Sequence, residues 1–156
     1  MRSGMNTEFK EQLPALWKKI GSHGVMVLST CWENRVTSRP VSVVVIDGKF
    51  YCQTDENYLK CRQLSVNENA AVCVKNFSVE GKCRIIGKPS DNADFIKAMK
   101  KYFLPAYMKY SNLEQECLLE FTPILIYSWS YEEQKKCTRS NQLWGLSRSL
   151  NSRLCK

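Results

Sequence analysis

Residues 39–64 read RPVSVVVIDGKFYCQTDENYLKCRQL, and this segment decides the fold. Its apolar run ends at Asp47-Gly48, a dipeptide that is typical of tight β-hairpins. A second β-prone run, Phe50–Thr54, follows the turn, and the residues after it predict a short basic helix. The segment therefore predicts two paired strands followed by a helix.

The junction between the second strand and the helix has the composition of an anion site. Small and hydroxyl side chains meet there, and the start of a helix offers free backbone N–H groups to a phosphate. Arg39 would add a bidentate guanidinium, and Lys60 would add a mobile ammonium. The segment predicts a phosphate pocket, while each residue taken alone also fits a surface ion pair, a solvated helix face or a helix cap.

Further strand-like runs lie on both sides of this segment. In chain order the six runs cover residues 25–31, 36–46, 50–54, 70–74, 83–86 and 117–129. Patterns with a helical period cover residues 9–20 and 91–103. Pro40 cannot donate to a β-ladder, so the second run has an edge or a bulge at that point. Because short turns join most of the runs, the sequence predicts a closed or partly closed antiparallel barrel.

Charge divides the 156-residue chain into a body and a tail. The net charge is +8, which by itself is typical of nucleic-acid-binding proteins. After Glu133, however, there are six basic residues and no acidic residue, so residues 1–133 carry a net charge of only +2. We therefore expect one domain over residues 1–133, a basic C-terminal tail over residues 134–156, and no nucleic-acid partner.

The cysteines indicate a reduced protein without a metal site. There are eight cysteines, no C-x-x-C pair and a single histidine, His23, so the paired ligands of a zinc site are missing. Several cysteines lie in apolar strand-like runs, where a free thiol packs as a small hydrophobe. The first residues lack the apolar core of a secretory signal, and no apolar run approaches the roughly 20 residues of a membrane span. We expect a cytoplasmic protein with no membrane partner.

Taken in order, these pieces resemble the FMN-binding split-barrel family of pyridoxamine 5′-phosphate oxidase. The resemblance covers about Trp17 to Trp129. It is carried by Arg39-Pro40-Val41, Phe50-Tyr51 through Lys60, Arg62-Gln63-Leu64 before Asn67-Glu68-Asn69, Ile85-Ile86-Gly87-Lys88, Thr122-Pro123 and Tyr127-Ser128-Trp129. It implies a mainly β (α+β) fold, a six-stranded antiparallel split β-barrel with flanking helices.

The resemblance also implies a cofactor, an assembly and a set of site residues. It implies a homodimer that holds FMN at the subunit interface. The phosphate or ribityl chain would be contacted by Arg39 and Lys60, and the flavin ring would be lined by Pro40, Val41 and Ser42. Hydrogen bonds near the phosphate would come from Gln53, Thr54 and Asp55. Further neighbours of the cofactor would be Lys82 and Trp129.

The implied function is that of an FMN-dependent oxidoreductase, which transfers a hydride between an unknown small-molecule substrate and flavin N5. Catalytic residues stay unassigned, because the chain has no histidine after His23 and so lacks the Arg-x-His pattern that binds pyridoxamine phosphate. His23 itself fits an ordinary surface histidine. The alternatives are a non-catalytic flavin or haem carrier or sensor, a deazaflavin-binding or haem-degrading relative, and a nucleic-acid-binding barrel.

Overall fold

The computed structural model describes residues 7–131 and 137–143, with side chains described from 13 to 128. None of the described helices is long and apolar enough to cross a membrane. The elements are α1 (Thr7–Ile20), β1 (His23–Trp32), β2 (Arg35–Ile46), β3 (Lys49–Asp55), α2 (Leu59–Val66), β4 (Asn69–Val74), β5 (Phe77–Ile85), a 3₁₀ turn (Pro89–Asp91), α3 (Ala93–Tyr102), α4 (Leu104–Tyr110), β6 (Glu116–Tyr131) and β7 (Cys137–Leu143).

Six strands close into an antiparallel barrel. The sheet order is β3-β2-β1-β4-β5-β6-β7, and β3 also pairs with β6, which closes the ring over β1 to β6. The predicted six-stranded barrel with flanking helices is therefore confirmed. The described residues add one strand, β7, which pairs with β6 from Leu125↔Leu143 to Tyr131↔Cys137. This strand lies in the segment that the sequence indicated only as a basic tail.

Two hairpin turns set the register of β1, β2 and β3, and the second of them is the predicted Asp47-Gly48 turn. Asp47 and Gly48 have φ of 49° and 73°, and Glu33 and Asn34 have φ of 48° and 61°. Positive φ at both central residues matches the right-handed twist of the paired strands, which is why tight hairpins favour such turns. The local sequence therefore positions the three strands on which the candidate site lies.

The barrel interior is apolar and is covered from two sides. Inward-facing residues such as Met26, Leu28 and Phe50 are at most 2% exposed. Trp17 of α1 packs on Phe50, with ring centroids 5.6 Å apart, so α1 covers one end of the barrel as the sequence predicted. Phe95 of α3 belongs to a second buried cluster on the outer side of β2, β3 and β6. The two clusters hold the barrel wall rigid from both faces.

The barrel opens between β2 and β3. These strands pair only over Val44–Ile46, after which β3 continues to Asp55 by pairing with β6. Within the described sheet, the part of β2 before Val44 has β1 on one side and no strand on the other. Pro40 lies in this part of β2 and pairs with Val27 of β1, so the missing N–H sits on a strand with an open edge, as expected for proline. The divergence of β2 and β3 creates a cleft.

Candidate functional site

A cavity of about 430 Å³ fills this cleft. Seven of the ten residues that the sequence singled out line it. They are Pro40, Val41, Ser42, Gln53, Thr54, Asp55 and Lys60. The remaining lining residues are Tyr58, Met99, Ala106, Tyr110, Leu113, Gln115 and Glu116. The cavity therefore has one wall from the open edge of β2, one from β3 and the start of β6, and a third from α2, α3 and α4.

Lys60 brings an unpaired positive charge into the cavity wall. Its side chain is only 8% exposed, and its ammonium lies 4.5 Å from the ring centre of Tyr58. Among the described residues, no hydrogen-bond acceptor or carboxylate pairs with it. Burial lowers the pKa of the Lys60 ammonium, because the charged form is poorly solvated there, and the Arg39 charge acts in the same direction. A buried cation that has no hydrogen-bonded carboxylate among the described residues is costly, so the site favours an anionic ligand.

The start of α2 adds backbone donors beside Lys60. Tyr58 is the N-cap residue and has an extended backbone, and no side chain accepts a hydrogen bond from the first turn of the helix. The first N–H groups of a helix have no partner within the helix, and the helix dipole makes this end attractive to anions. Lys60 and the helix start therefore offer positive charge and directed donors to the same ligand group.

Glu116 places a buried carboxyl group in the wall of the cavity. It is 5% exposed and pairs in register with Asp55 across β3 and β6. Burial raises the pKa of Glu116, and the Asp55 carboxylate raises it further, whereas Lys60 opposes the shift. Asp55 itself accepts hydrogen bonds at Oδ1 from the backbone N–H and the side-chain amide of Asn57, at 2.8 and 2.9 Å. Asp55 therefore holds the turn before α2, and Glu116 is the group that can gain or lose a proton in the cavity.

We expect Glu116→Gln to change how stability depends on pH. A carboxyl group with a raised pKa binds its proton more tightly in the folded chain, so wild-type stability falls as pH rises from the ordinary glutamate pKa of about 4.3 through the raised value. The variant lacks this group, so its stability relative to wild type should grow over that interval and then level off. Urea denaturation at a series of pH values measures the difference. The exposed Glu114→Gln variant is the control, and identical pH profiles for wild type and Glu116→Gln would contradict the burial effect.

Polar side chains of β3 are held by neighbouring elements. The Gln53 side-chain oxygen accepts a hydrogen bond of 2.6 Å from the Ser111 hydroxyl, at the end of α4. Thr54 is 7% exposed and also lines the cavity. Since Gln53 ties β3 to α4, the third wall of the cavity is fixed relative to the other two.

Arg39 does not line the cavity. Its Nη1 donates hydrogen bonds to the Leu28 carbonyl at 3.1 Å and to the Thr30 hydroxyl at 2.8 Å, and its Nη2 donates to the Thr37 hydroxyl. Both threonine hydroxyls donate to the Gln63 side-chain oxygen, at 2.6 and 2.7 Å. Gln63 belongs to α2 and is only 1% exposed. Arg39 thus holds α2 against β1 and β2, and through α2 it positions Lys60.

The other two predicted cofactor neighbours lie elsewhere. The Lys82 ammonium donates a hydrogen bond of 2.7 Å to the Asn69 side chain, across β4 and β5. Asn69 lines a second groove of about 410 Å³, which runs over β1, β4 and β5. Trp129 has a described backbone, which pairs with Arg139, but its side chain lies outside the described residues.

Sequence reasoning missed Glu116 and the tyrosines of the cavity. Glu116 stands one residue before the predicted last strand, and its place follows from the pairing Asp55↔Glu116 between strands far apart in the chain. No local pattern specifies that register. Tyr110 was not among the residues singled out from the sequence, and it is 40% exposed and lines the cavity. Tyr58 directly precedes α2. The signal that could have pointed to Tyr58 was its place two residues before Lys60, which the sequence had already assigned to the site.

Comparison with known proteins identifies the fold. No protein-family model matches the chain, and neither does any curated protein. Among solved structures, a protein assigned as a pyridoxamine 5′-phosphate oxidase from Listeria innocua has a TM-score of 0.55 and 13% identity, covering 75% of this chain and 94% of that one. The haem storage protein HutZ from Vibrio cholerae has a TM-score of 0.61 and 12% identity, covering 77% and 94%.

An FAD-binding protein from Mesorhizobium loti is also similar, with a TM-score of 0.55, 10% identity and coverage of 70% of this chain and 88% of that one. At identities this low, the matches show the fold, and the ligands named for these proteins are theirs and are not shown for this chain. Each of the three matches spans most of both chains. The chain therefore has the split β-barrel fold of the proteins that resemble pyridoxamine 5′-phosphate oxidase, as its sequence indicated.

Proposed function

We propose that the cavity binds FMN and that the protein is a flavin-dependent oxidoreductase acting on a small molecule. The observation that carries this proposal is the buried, unpaired ammonium of Lys60 beside the uncapped start of α2. Such a site suits the phosphate of a nucleotide-like cofactor. The FAD-binding protein of the same fold supports a flavin, and the sequence resemblance supports FMN in particular.

The remaining cavity residues fit the other parts of the cofactor. Among the described strands, none pairs with residues 40–42 of β2 on the cavity side, so the backbone groups there are available to the polar edge of a flavin ring. Met99, Ala106 and Leu113 provide an apolar wall for the ring face. A volume of about 430 Å³ is within the range of ordinary cofactor pockets.

The flavin would supply the redox chemistry, since its N5 accepts a hydride without help from an acidic or basic side chain. The chain supplies binding and electrostatics. Lys60 would neutralise the phosphate, and the apolar wall would exclude water from the ring. Glu116 has a raised pKa, because its carboxyl group is buried and lies near the Asp55 carboxylate, so burial disfavours a second negative charge beside Asp55.

We also propose a homodimer that acts in the cytoplasm. Val25 and Val36, on the outer face of β1 and β2, are 67% and 66% exposed. Burying such residues against a second copy would remove apolar surface from water and cover the open side of the cleft. The six described cysteines are free thiols, which fits a reducing compartment.

A non-catalytic carrier is the second candidate, and the haem storage protein of the same fold favours its haem form. The chain's single histidine argues against haem in this cavity. His23 stacks on Tyr102, with ring centroids 3.9 Å apart, and it is not among the residues that line the cavity. Its Nδ1 shares a hydrogen bond of 3.2 Å with the Ser22 hydroxyl.

The test is to release and identify the cofactor of the purified protein. We expect a flavin absorption spectrum and the mass of FMN. Released FAD, deazaflavin or haem, or failure of the cofactor-free protein to bind added FMN, would overturn the FMN assignment. Reduction of the bound flavin by NAD(P)H, followed by its reoxidation with an acceptor, separates an oxidoreductase from a carrier. Light scattering of the same preparation should give twice the chain mass of 18.1 kDa.

A further inference from the structure

Two thiols meet directly behind the cavity wall. The Sγ atoms of Cys61 in α2 and Cys117 in β6 are 3.7 Å apart, although 56 residues separate them in the chain. Each side chain is 2% exposed. Their preceding neighbours in the chain, Lys60 and Glu116, are the two buried charged residues of the cavity. Any change in the thiol pair is therefore transmitted to the groups that face the ligand.

The geometry allows the two sulfur atoms to bond. A disulfide requires an S–S distance of about 2.05 Å, so the sulfur atoms must approach by roughly 1.7 Å. The element that has to move is α2, which has eight residues and no side-chain N-cap. Cys61 Sγ also lies 3.5 Å from the Asp55 carbonyl, at the turn that leads into α2. A short helix attached through a turn can make this adjustment more easily than a paired strand can.

The pKa values of the two thiols are shifted in opposite directions, which suits a reaction of two consecutive steps. The hydrogen bond with Cys117 lowers the pKa of the Cys61 thiol, and the nearby Lys60 charge lowers it further. The same hydrogen bond and burial raise the pKa of Cys117. Cys52 lies nearby in β3, and burial raises its pKa to about 12. The thiolate is the nucleophilic form of cysteine, so Cys61 is suited to react first with an oxidant. Cys117, which stays a thiol, is suited to react afterwards with the oxidised Cys61.

We propose that Cys61 and Cys117 form a dithiol site that a hydroperoxide oxidises to a disulfide, and that this closure weakens ligand binding in the adjoining cavity. The Cys61 thiolate attacks the O–O bond of the hydroperoxide. An S–O bond forms, the O–O bond breaks, and after protonation an alcohol (or water, from hydrogen peroxide) leaves. The Cys117 thiol then attacks the sulfenic acid of Cys61, the S–S bond forms and water leaves. Two thiols are oxidised by two electrons, and one peroxide is reduced.

The effect on the cavity follows from the connection between Cys61 and Lys60. Moving Cys61 toward β6 carries the first turn of α2 with it, so the Lys60 ammonium and the helix N–H groups are displaced from the positions in which they would bind the anion. This part of the proposal rests on the proposed function, because the affected ligand is FMN. The disulfide itself does not depend on it.

Peptide mapping tests the dithiol site. The full-length reduced protein is treated with hydrogen peroxide under native conditions, free thiols are blocked, and the digest is analysed by mass spectrometry. We expect a linked Cys61–Cys117 peptide that dithiothreitol removes, in wild type and in Cys73→Ser but not in Cys61→Ser. Cys73 is exposed and is the matched control for direct oxidation. Oxidation confined to Cys73, or a disulfide between other pairs, would overturn the proposal.

FMN titration of the reduced and oxidised protein tests the coupling. We expect binding to weaken by about tenfold on oxidation in wild type and in Cys73→Ser, and to be unaffected by peroxide in Cys61→Ser. Equal affinity in the two states, with the linked peptide present, would reject the coupling. If reduced wild type binds no FMN, the proposed function fails, and the linked peptide still decides the dithiol site.

Discussion

Replacing Lys60 with methionine should weaken FMN binding by roughly 10- to 100-fold, the range expected for losing hydrogen bonds to a charged group. Lys60 is 8% exposed and has no pairing carboxylate among the described residues, so its charge is available to a phosphate. Isothermal titration, or quenching of flavin fluorescence, measures the affinity. The exposed Arg62→Met variant, two residues along the same helix, is the matched control.

The same substitution should act in the opposite direction on the stability of the cofactor-free protein. Among the described residues the buried Lys60 ammonium makes no hydrogen bond or ion pair that would replace its lost hydration, so methionine should leave the free energy of unfolding unchanged or increased. A merely structural lysine would instead show a loss of stability together with the loss of binding. FMN affinity and the free energy of unfolding, measured on the same variant, therefore distinguish a ligand-binding role of Lys60 from a packing role.

Riboflavin sharpens the test, because it lacks the phosphate but keeps the flavin ring. Lys60→Met should weaken FMN binding strongly and riboflavin binding little, so that the preference for FMN over riboflavin largely disappears. Equal losses for both ligands would place Lys60 at the ring rather than at the phosphate. Unchanged FMN affinity would reject the phosphate site, and with it the main support for the proposed function.

The cavity as a whole explains why one lysine should have so large an effect. Lys60 is its buried cation, while Asp55 and Glu116 contribute carboxyl groups nearby. If both carboxyl groups were ionised, the cavity would repel a phosphate once Lys60 was removed. The raised pKa of Glu116 limits this repulsion by favouring its neutral form. The predicted pH dependence of Glu116 and the predicted effect of Lys60 are therefore two consequences of one charge arrangement.

Local sequence signals predicted the parts of the fold that depend on neighbouring residues. Asp47-Gly48 specifies its hairpin through the backbone conformation of these two residues alone, so the sequence predicted that β2 and β3 pair. The missing N–H of Pro40 predicted an edge or a bulge in β2, and the described sheet has an open edge there. These features bring seven of the predicted site residues to one cavity.

What the sequence could not predict depends on contacts between distant segments. The register Asp55↔Glu116 closes the barrel and brings Glu116 into the cavity, and no turn between the two residues sets it. Arg39 was expected to reach the phosphate, yet its guanidinium is held by Thr30 and Thr37, whose hydroxyls bind Gln63 of α2. An arginine donates hydrogen bonds wherever several acceptors lie close together. Here the packing of α2 on β1 and β2 brings the acceptors of Arg39 into one place.

Gly81→Ala should lower the free energy of unfolding by about 3 kcal/mol, at the upper end for overpacking of a well-filled core. A Cβ at this position would lie 2.2 Å from the Thr122 carbonyl oxygen and 2.8 Å from Cζ of Phe121. The nearest of these atoms belongs to the backbone of β6, so a side-chain rotation cannot relieve the contact. The register of β5 and β6 shifts between Glu80 and Gly81, so Gly81 lies at an irregularity of the ladder.

Urea denaturation of wild type, Gly81→Ala and the exposed neighbour Glu80→Ala measures this effect, and Glu80→Ala should stay within about 0.5 kcal/mol of wild type.

Gly81 lies on the wall formed by β5 and β6 and is not among the residues that line the cavity around Lys60. The folded fraction of Gly81→Ala should therefore bind FMN with wild-type affinity. Wild-type stability in Gly81→Ala would mean that β5 and β6 can separate at this point, and the tight closure of the barrel described above would then be wrong. A loss of stability without a loss of intrinsic affinity would show that barrel closure and ligand binding depend on different residues.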